Sequence, residues 1–167
     1  PDKQLIECVV TRTKTDAADA VGNTALHFCG LEDAAEFAEA LVLAGANVNA
    51  KNTLQQTPIM LAAHAASLRT VHRLCLGKIN PALADADGNT ALHHAVRAEL
   101  PKLEIIEILL QLGCKPQLSN TSGVTAAELA LKAARWDLAR RLSPAQELSD
   151  ELEGELERSG ENDRASP

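Results

Sequence analysis

Apolar positions along this chain alternate between two textures. Short runs built from alanine and leucine, such as Ala25-Leu26-His27 and Ala91-Leu92-His93, are each followed by a longer run with apolar side chains in adjacent pairs. Phe37-Ala38 with Leu41-Val42, and Ile105-Ile106 with Leu109-Leu110, repeat at four-residue spacing and place one apolar stripe on a helix. A threonine precedes each short run, where its hydroxyl is suited to accept from a free N–H of the first helical turn. Pro58 stands just inside one such start, where a missing N–H costs nothing. Gly45 and Gly113 follow the longer runs and are suited to end them in a left-handed conformation. Segments of Asn, Asp and Gly lie between, and read as reversing loops. The pattern predicts a turn, a short helix, a longer helix and a loop, several times over.

The recurrence has a fixed period. Gly22-Asn23-Thr24-Ala25-Leu26-His27 returns unchanged as Gly88-Asn89-Thr90-Ala91-Leu92-His93. Gln55 to Met60 and Gly123 to Glu128 occupy the same place in two further units, and the threonines at 24, 57, 90 and 125 stand 33, 33 and 35 residues apart. One unit of this size cannot bury its own apolar face, so neighbours must stack. The pattern resembles the ankyrin repeat, whose D-x-x-G-x-T-P-L-H-x-A-A opening is matched by Asp19 to Cys29 and by Asp85 to Val96. The resemblance implies an all-α ankyrin-repeat solenoid of stacked helix-turn-helix units with hairpin-like loops. Its units fall at about 19–51, 52–84, 85–119 and 120–143. Residues 1–18 then read as a partial capping repeat, with Leu5 to Val10 as its second helix. Residues 144–167 form an acidic tail.

Some positions depart from the pattern. The second unit has Asn52 for Asp, Gln55 for Gly, Met60 for His and Lys78 for the helix-ending Gly. The third carries two extra residues around Glu99 to Lys102, which predicts a longer turn between its helices. The fourth has Glu128 for His, and its Arg140 and Arg141 suit a terminal unit that faces water on one side.

Composition sharpens this reading. Aromatic residues make up 2% of the chain (Phe28, Phe37 and Trp136), so a core of Ala, Leu, Val and Ile is expected, which favours closely packed helices. No apolar run is long enough to span a bilayer. The start, Pro1 to Gln4, lacks both Met and a secretory pattern, which suggests a piece of a longer chain. Cys8, Cys29, Cys75 and Cys114 are scattered singly, as small core residues of an intracellular protein would be. The tail holds eight acids against two bases, so it carries six of the seven net negative charges. A nearly neutral body with an acidic tail makes nucleic acid an unsuitable ligand. Leu148, Leu152 and Leu156 recur every fourth residue in that tail after the cap-like Ser143-Pro144. Both a short acidic amphipathic helix and a solvated acidic segment fit that pattern.

Signals of chemistry are lacking. No C-x-x-C pair or Cys/His doublet suggests zinc, no glycine-rich phosphate cradle occurs, and no nucleophile elbow surrounds a serine. His93-His94 point about 100° apart on a helix, which does not make a metal pair. In ankyrin-like units the histidine at positions 27 and 93 orders the turn, a structural role. Asn49 resembles the loop asparagine that asparaginyl hydroxylases modify in some ankyrin proteins, but loop hydrogen bonding is the expected role. No catalytic residue, metal, cofactor or small-molecule substrate is assigned, and the chain is read as a non-enzyme.

The resemblance further implies binding of another protein or peptide on a concave face made of turn tips and inner helices. The tip positions are Val21, Asn23, Leu54, Gln56, Asp87, Asn89 and Val124, and Leu31, Glu32, His64, Arg97 and Lys132 stand just past the inner helices. An adaptor or scaffold is the first reading. The alternative is a regulatory ankyrin region of a larger enzyme that docks substrate or masks its active site. Trp136 is expected to pack against Leu148 of the tail or against the inter-helix loop.

Overall fold

The structure, a computed structural model, describes residues 15–143. The proposed helices at Leu5 to Val10 and in the acidic tail lie outside the described residues. Eight helices run in pairs among the described residues. They are α1 (Ala25–Glu32) with α2 (Ala35–Leu43), α3 (Pro58–His64) with α4 (Leu68–Leu74), α5 (Ala91–Arg97) with α6 (Leu103–Gln111), and α7 (Ala126–Lys132) with α8 (Trp136–Leu142). The short helices α1, α3, α5 and α7 pack on one another in order, and the second helices form a layer beside them. The chain has the all-helical stack that its period implies.

Small residues let the short helices approach closely. A Cβ on Gly30 of α1 would stand 2.8 Å from the Pro58 carbonyl and 3.0 Å from the Ala62 nitrogen of α3. Ala62, Ala63, Ala95 and Ala130 continue that close contact, all buried. The second helices supply bulk. Leu41, Val71, Leu74, Ile105, Ile106 and Leu109 are buried, each contributing about 1.5–3 kcal/mol by leaving water. One contiguous core results, shared across all four pairs.

Each short helix begins with its threonine in extended backbone and with a capping box. Its closure differs from expectation. Only Thr125 Oγ1 accepts a well-formed bond, 3.3 Å from the Glu128 N–H. In the fourth unit Glu128 Oε2 also accepts from the Thr125 N–H at 2.8 Å, and in the other units the third helical side chain does the capping alone, reaching back to the threonine N–H. The acceptor is His27 Nδ1 at 3.0 Å, His93 Nδ1 at 3.2 Å and the Met60 sulfur at 3.4 Å. Imidazole is the stronger acceptor, and Thr57 Oγ1 is left buried without a partner.

The helix ends follow the glycines in part. Gly45 and Gly113 have φ of 87° and 90°, the left-handed stop. Lys78 does not take up that conformation. The second unit ends instead on tight turns at Leu76 and Gly77, and Gly77 is needed because a Cβ there would lie 2.6 Å from Val48 Cγ1. Between helices, Asp33, Ala66 and Ala134 adopt left-handed φ near 50–54°, whereas the third unit uses the longer stretch 98–102. The two extra residues there form the expected longer turn.

Candidate partner-binding surface

The turn tips are built by side chains folding back on their own backbone. Asp19 Oδ1 accepts from the N–H groups of Val21 and Asn23 at 2.9 and 2.8 Å, and Asp85 Oδ1 from those of Asp87 and Asn89 at 3.0 and 2.8 Å. Asn52 and Asn120 do the same in their units. Asn can replace Asp in the turn because the two backbone bonds use a single side-chain oxygen. The tips are then tied into one row by backbone bonds from Thr53 N to Val21 O, Ala86 N to Leu54 O and Thr121 N to Asp87 O, at 2.9–3.0 Å. Gly22 and Gly88 permit this closeness, since a Cβ would lie 3.1 Å from Asn52 Cα and 2.8 Å from Thr121 N.

The two repeat histidines bind across units. Nδ1 accepts from the threonine N–H, so the ring proton sits on Nε2. It is donated to the Gln56 carbonyl by His27 and to the Val124 carbonyl by His93, both at 3.0 Å. Burial holds both imidazoles below their ordinary pKa, against the opposing pull of those carbonyls. His94 is buried as well, with Nε2 2.9 Å from Asp85 Oδ2, and desolvation again lowers its pKa. Burial pushes Asp85 upward, but its Asn89 and His94 bonds outweigh this and leave it below the ordinary carboxylate range.

These facts sort the expected contact residues. Val21, Leu31 and Leu54 are exposed at 52%, 43% and 58%, a large apolar share for side chains that no core requires. Glu32, His64, Asp87, Arg97 and Lys132 are exposed beside them. Leu31, Glu32, His64, Arg97 and Lys132 lie in the last turns of the short helices, not beyond them as expected. Asn89 is corrected outright. It is 2% exposed, donates to Asp85 Oδ2 and accepts from Asn120 Nδ2, so it is part of the frame. Asn23 accepts from Asn52 Nδ2 in the same way, and Gln56 and Val124 are half-buried with their carbonyls taken by the histidines. The sequence pattern shows which positions flank the turn, but not which of them the neighbouring unit consumes.

Residues singled out for other roles fall plainly. Asn49 Nδ2 donates to the Lys78 carbonyl and its Oδ1 accepts from the Asn80 N–H, both at 2.8 Å, so it joins two loops. Cys29 and Cys114 are buried free thiols, pushed up by burial to a pKa of about 11, which makes them poor nucleophiles. Among the described residues no three His, Cys, Asp or Glu side chains gather as a metal site would need. No helix there is long and apolar enough to cross a membrane. Sequence reasoning missed Phe28, Leu43, Leu76 and Leu100 as exposed apolar side chains. The Leu100 exposure of 80% follows from the inserted turn, which was the available signal.

Comparison with known proteins agrees with this architecture. A family model described as ankyrin repeats (3 copies) matches residues 31–120 and again 59–147. Inversin of Gallus gallus is 37% identical over 87 residues, or 52% of this chain and 8% of inversin. Inversin of Homo sapiens is 36% identical over the same length. The transient receptor potential cation channel subfamily A member 1 homolog of Caenorhabditis elegans is 30% identical over 122 residues, covering 73% of this chain. The matches span only 8% to 10% of the length of these relatives. With the threonine-led helix pairs, the tip row and the cross-unit histidines in place, the chain belongs to the ankyrin-repeat family.

Proposed function

We propose that this chain is an adaptor or scaffold module that holds a partner protein or peptide against its tip row and the last turns of its short helices. Ankyrin repeats in general serve protein–protein contact without catalysis. The observation that carries the finer reading is the tip row itself. Its backbone groups are spent on neighbouring tips, while Val21 and Leu54 remain exposed on adjacent tips with no role in the core. Glu32, Asp87, Arg97 and Lys132, also exposed, add charge of both signs to this surface. Such a mix suits a polypeptide partner, in which a few apolar side chains supply the affinity and charged ones the register. Free, buried thiols fit a reducing, intracellular setting.

Affinity capture with the full chain tests this. The double variant Leu54→Glu with Asp87→Lys touches no core residue and should fold like the parent. Loss of one anchor at about 2 kcal/mol predicts roughly thirtyfold weaker partner binding. Undiminished recovery of the partner by the double variant would refute the tip assignment.

A further inference from the structure

The far end of the stack carries a second surface, distinct from the tips. A groove of about 680 Å³ opens between the turn before α6 and the outer side of α8. Pro101 and Leu103 form one wall, Trp136 and Leu138 the other, and Arg140 and Arg141 stand along it. Trp136 is 46% exposed and Leu103 is exposed too, which leaves a large aromatic face uncovered on the last unit. The polar lining is predominantly basic, with Arg135, Arg140 and Arg141 against Asp137. Arg135 is engaged with the Val96 carbonyl, and Arg141 lies 3.5 Å from Glu107, both partners about half exposed. Arg140 has no carboxylate partner among the described residues.

We propose that this groove is the docking site of the chain's own acidic segment, residues 144–157, folded back along α8. Three properties of the segment match the groove. It leaves from the end of α8, since Ser143 directly follows Leu142. Its only large apolar side chains, Leu148, Leu152 and Leu156, recur every fourth residue and form one stripe when helical. That stripe is about 12 Å long at 1.5 Å per residue, against about 9 Å for α8 from Trp136 to Leu142. Glu147, Asp150, Glu151, Glu153, Glu155 and Glu157 flank the stripe, opposite in sign to the arginines. A helix this short, with Gly154 inside it, is not stable alone in water, so helix formation and docking are coupled. Docking covers Trp136 and caps the open end of the core, and its ionic part weakens with salt.

Trp136 is the only tryptophan in the chain, so its fluorescence in the full-length protein reads the groove directly. In the variant Leu148→Ser, Leu152→Ser, Leu156→Ser, acrylamide quenching of Trp136 should rise about twofold and the emission should shift red, because the ring loses its apolar cover. Arg140→Glu should raise quenching in the same direction by a smaller amount, as should high salt in the parent. Arg140 is exposed, and a retained cooperative melt shows that each variant folds. Equal quenching in the parent and the triple-leucine variant would overturn the proposal. Protection of Trp136 that grows with protein concentration would also overturn it, assigning the groove to a second copy of the chain. Insensitivity to both Arg140→Glu and salt would remove the charge pairing on which the proposal stands.

Discussion

Single residues govern this molecule chiefly where two units meet. Gly88 has φ of 76°, and a Cβ there would lie 2.8 Å from the Thr121 nitrogen that bonds to Asp87. Gly88→Ala therefore meets both a left-handed backbone and a backbone clash. It should cost about 2 kcal/mol, seen as a lower urea midpoint with an unchanged slope. Gly123→Ala shares the left-handed backbone at φ 73° but has open space around it, so it should cost less. The histidines act at the same junctions. Asn89 shows the limit of reading residues singly, since it and Asn23 hold the same place in the phrase and each accepts from the next unit's asparagine, Asn120 and Asn52.

Among the helices, α3 is the one whose cap is incomplete. Met60 stands where α1 and α5 have histidine, its sulfur is a weak acceptor for Thr57 N–H, and Thr57 Oγ1 is unpartnered. The equivalent carbonyl of the next tip belongs to Asn89, where only the Asp85 N–H is found. Met60→His should complete the cap and supply one more bond between units. The expected gain is about 1 kcal/mol, measured as a higher urea midpoint. The helix pairs themselves were legible in the sequence, because a leading threonine and an apolar run recur in each, with a closing glycine in the first and third. The second unit's end was not. Lys78 occupied the glycine's register, and only the approach of Val48 shows why Gly77 one residue earlier is the glycine that matters.

For the whole molecule, stability is shared along a line of units, so position in the stack decides the effect of a core change. Leu92 lies in α5 between neighbours on both sides, whereas Leu138 lies in the last described helix. Both are buried, but Leu92→Ala should cost about 3–4 kcal/mol and Leu138→Ala closer to 2, compared by urea unfolding. Acid should loosen the stack as a unit. His27, His93 and His94 all have pKa values lowered in the fold by burial, so the unfolded chain takes up protons that the folded chain refuses. Their contribution is complete above the unfolded value of about 6.5 and is lost as pH falls below it toward the folded values. Melting temperatures should be flat above about pH 7 and fall as the pH drops below about 6.5. An unchanged melt at pH 5 would contradict the neutral, Nε2-protonated histidines.

The sequence alone determined the helix pairs, their period, the stack they must form and the family they resemble. It could do so because capping, apolar spacing and turn chemistry act between residues close in the chain. Tertiary structure decided which flanking residues are spent and which are free. Asn89 and Asn23 went to the ladder between units, His27 and His93 to the carbonyls of the following tips, and Val21 and Leu54 were left outside. Those choices rest on contacts between residues some thirty positions apart, where a hydrogen bond or a buried surface depends on the next unit's backbone and leaves no local mark.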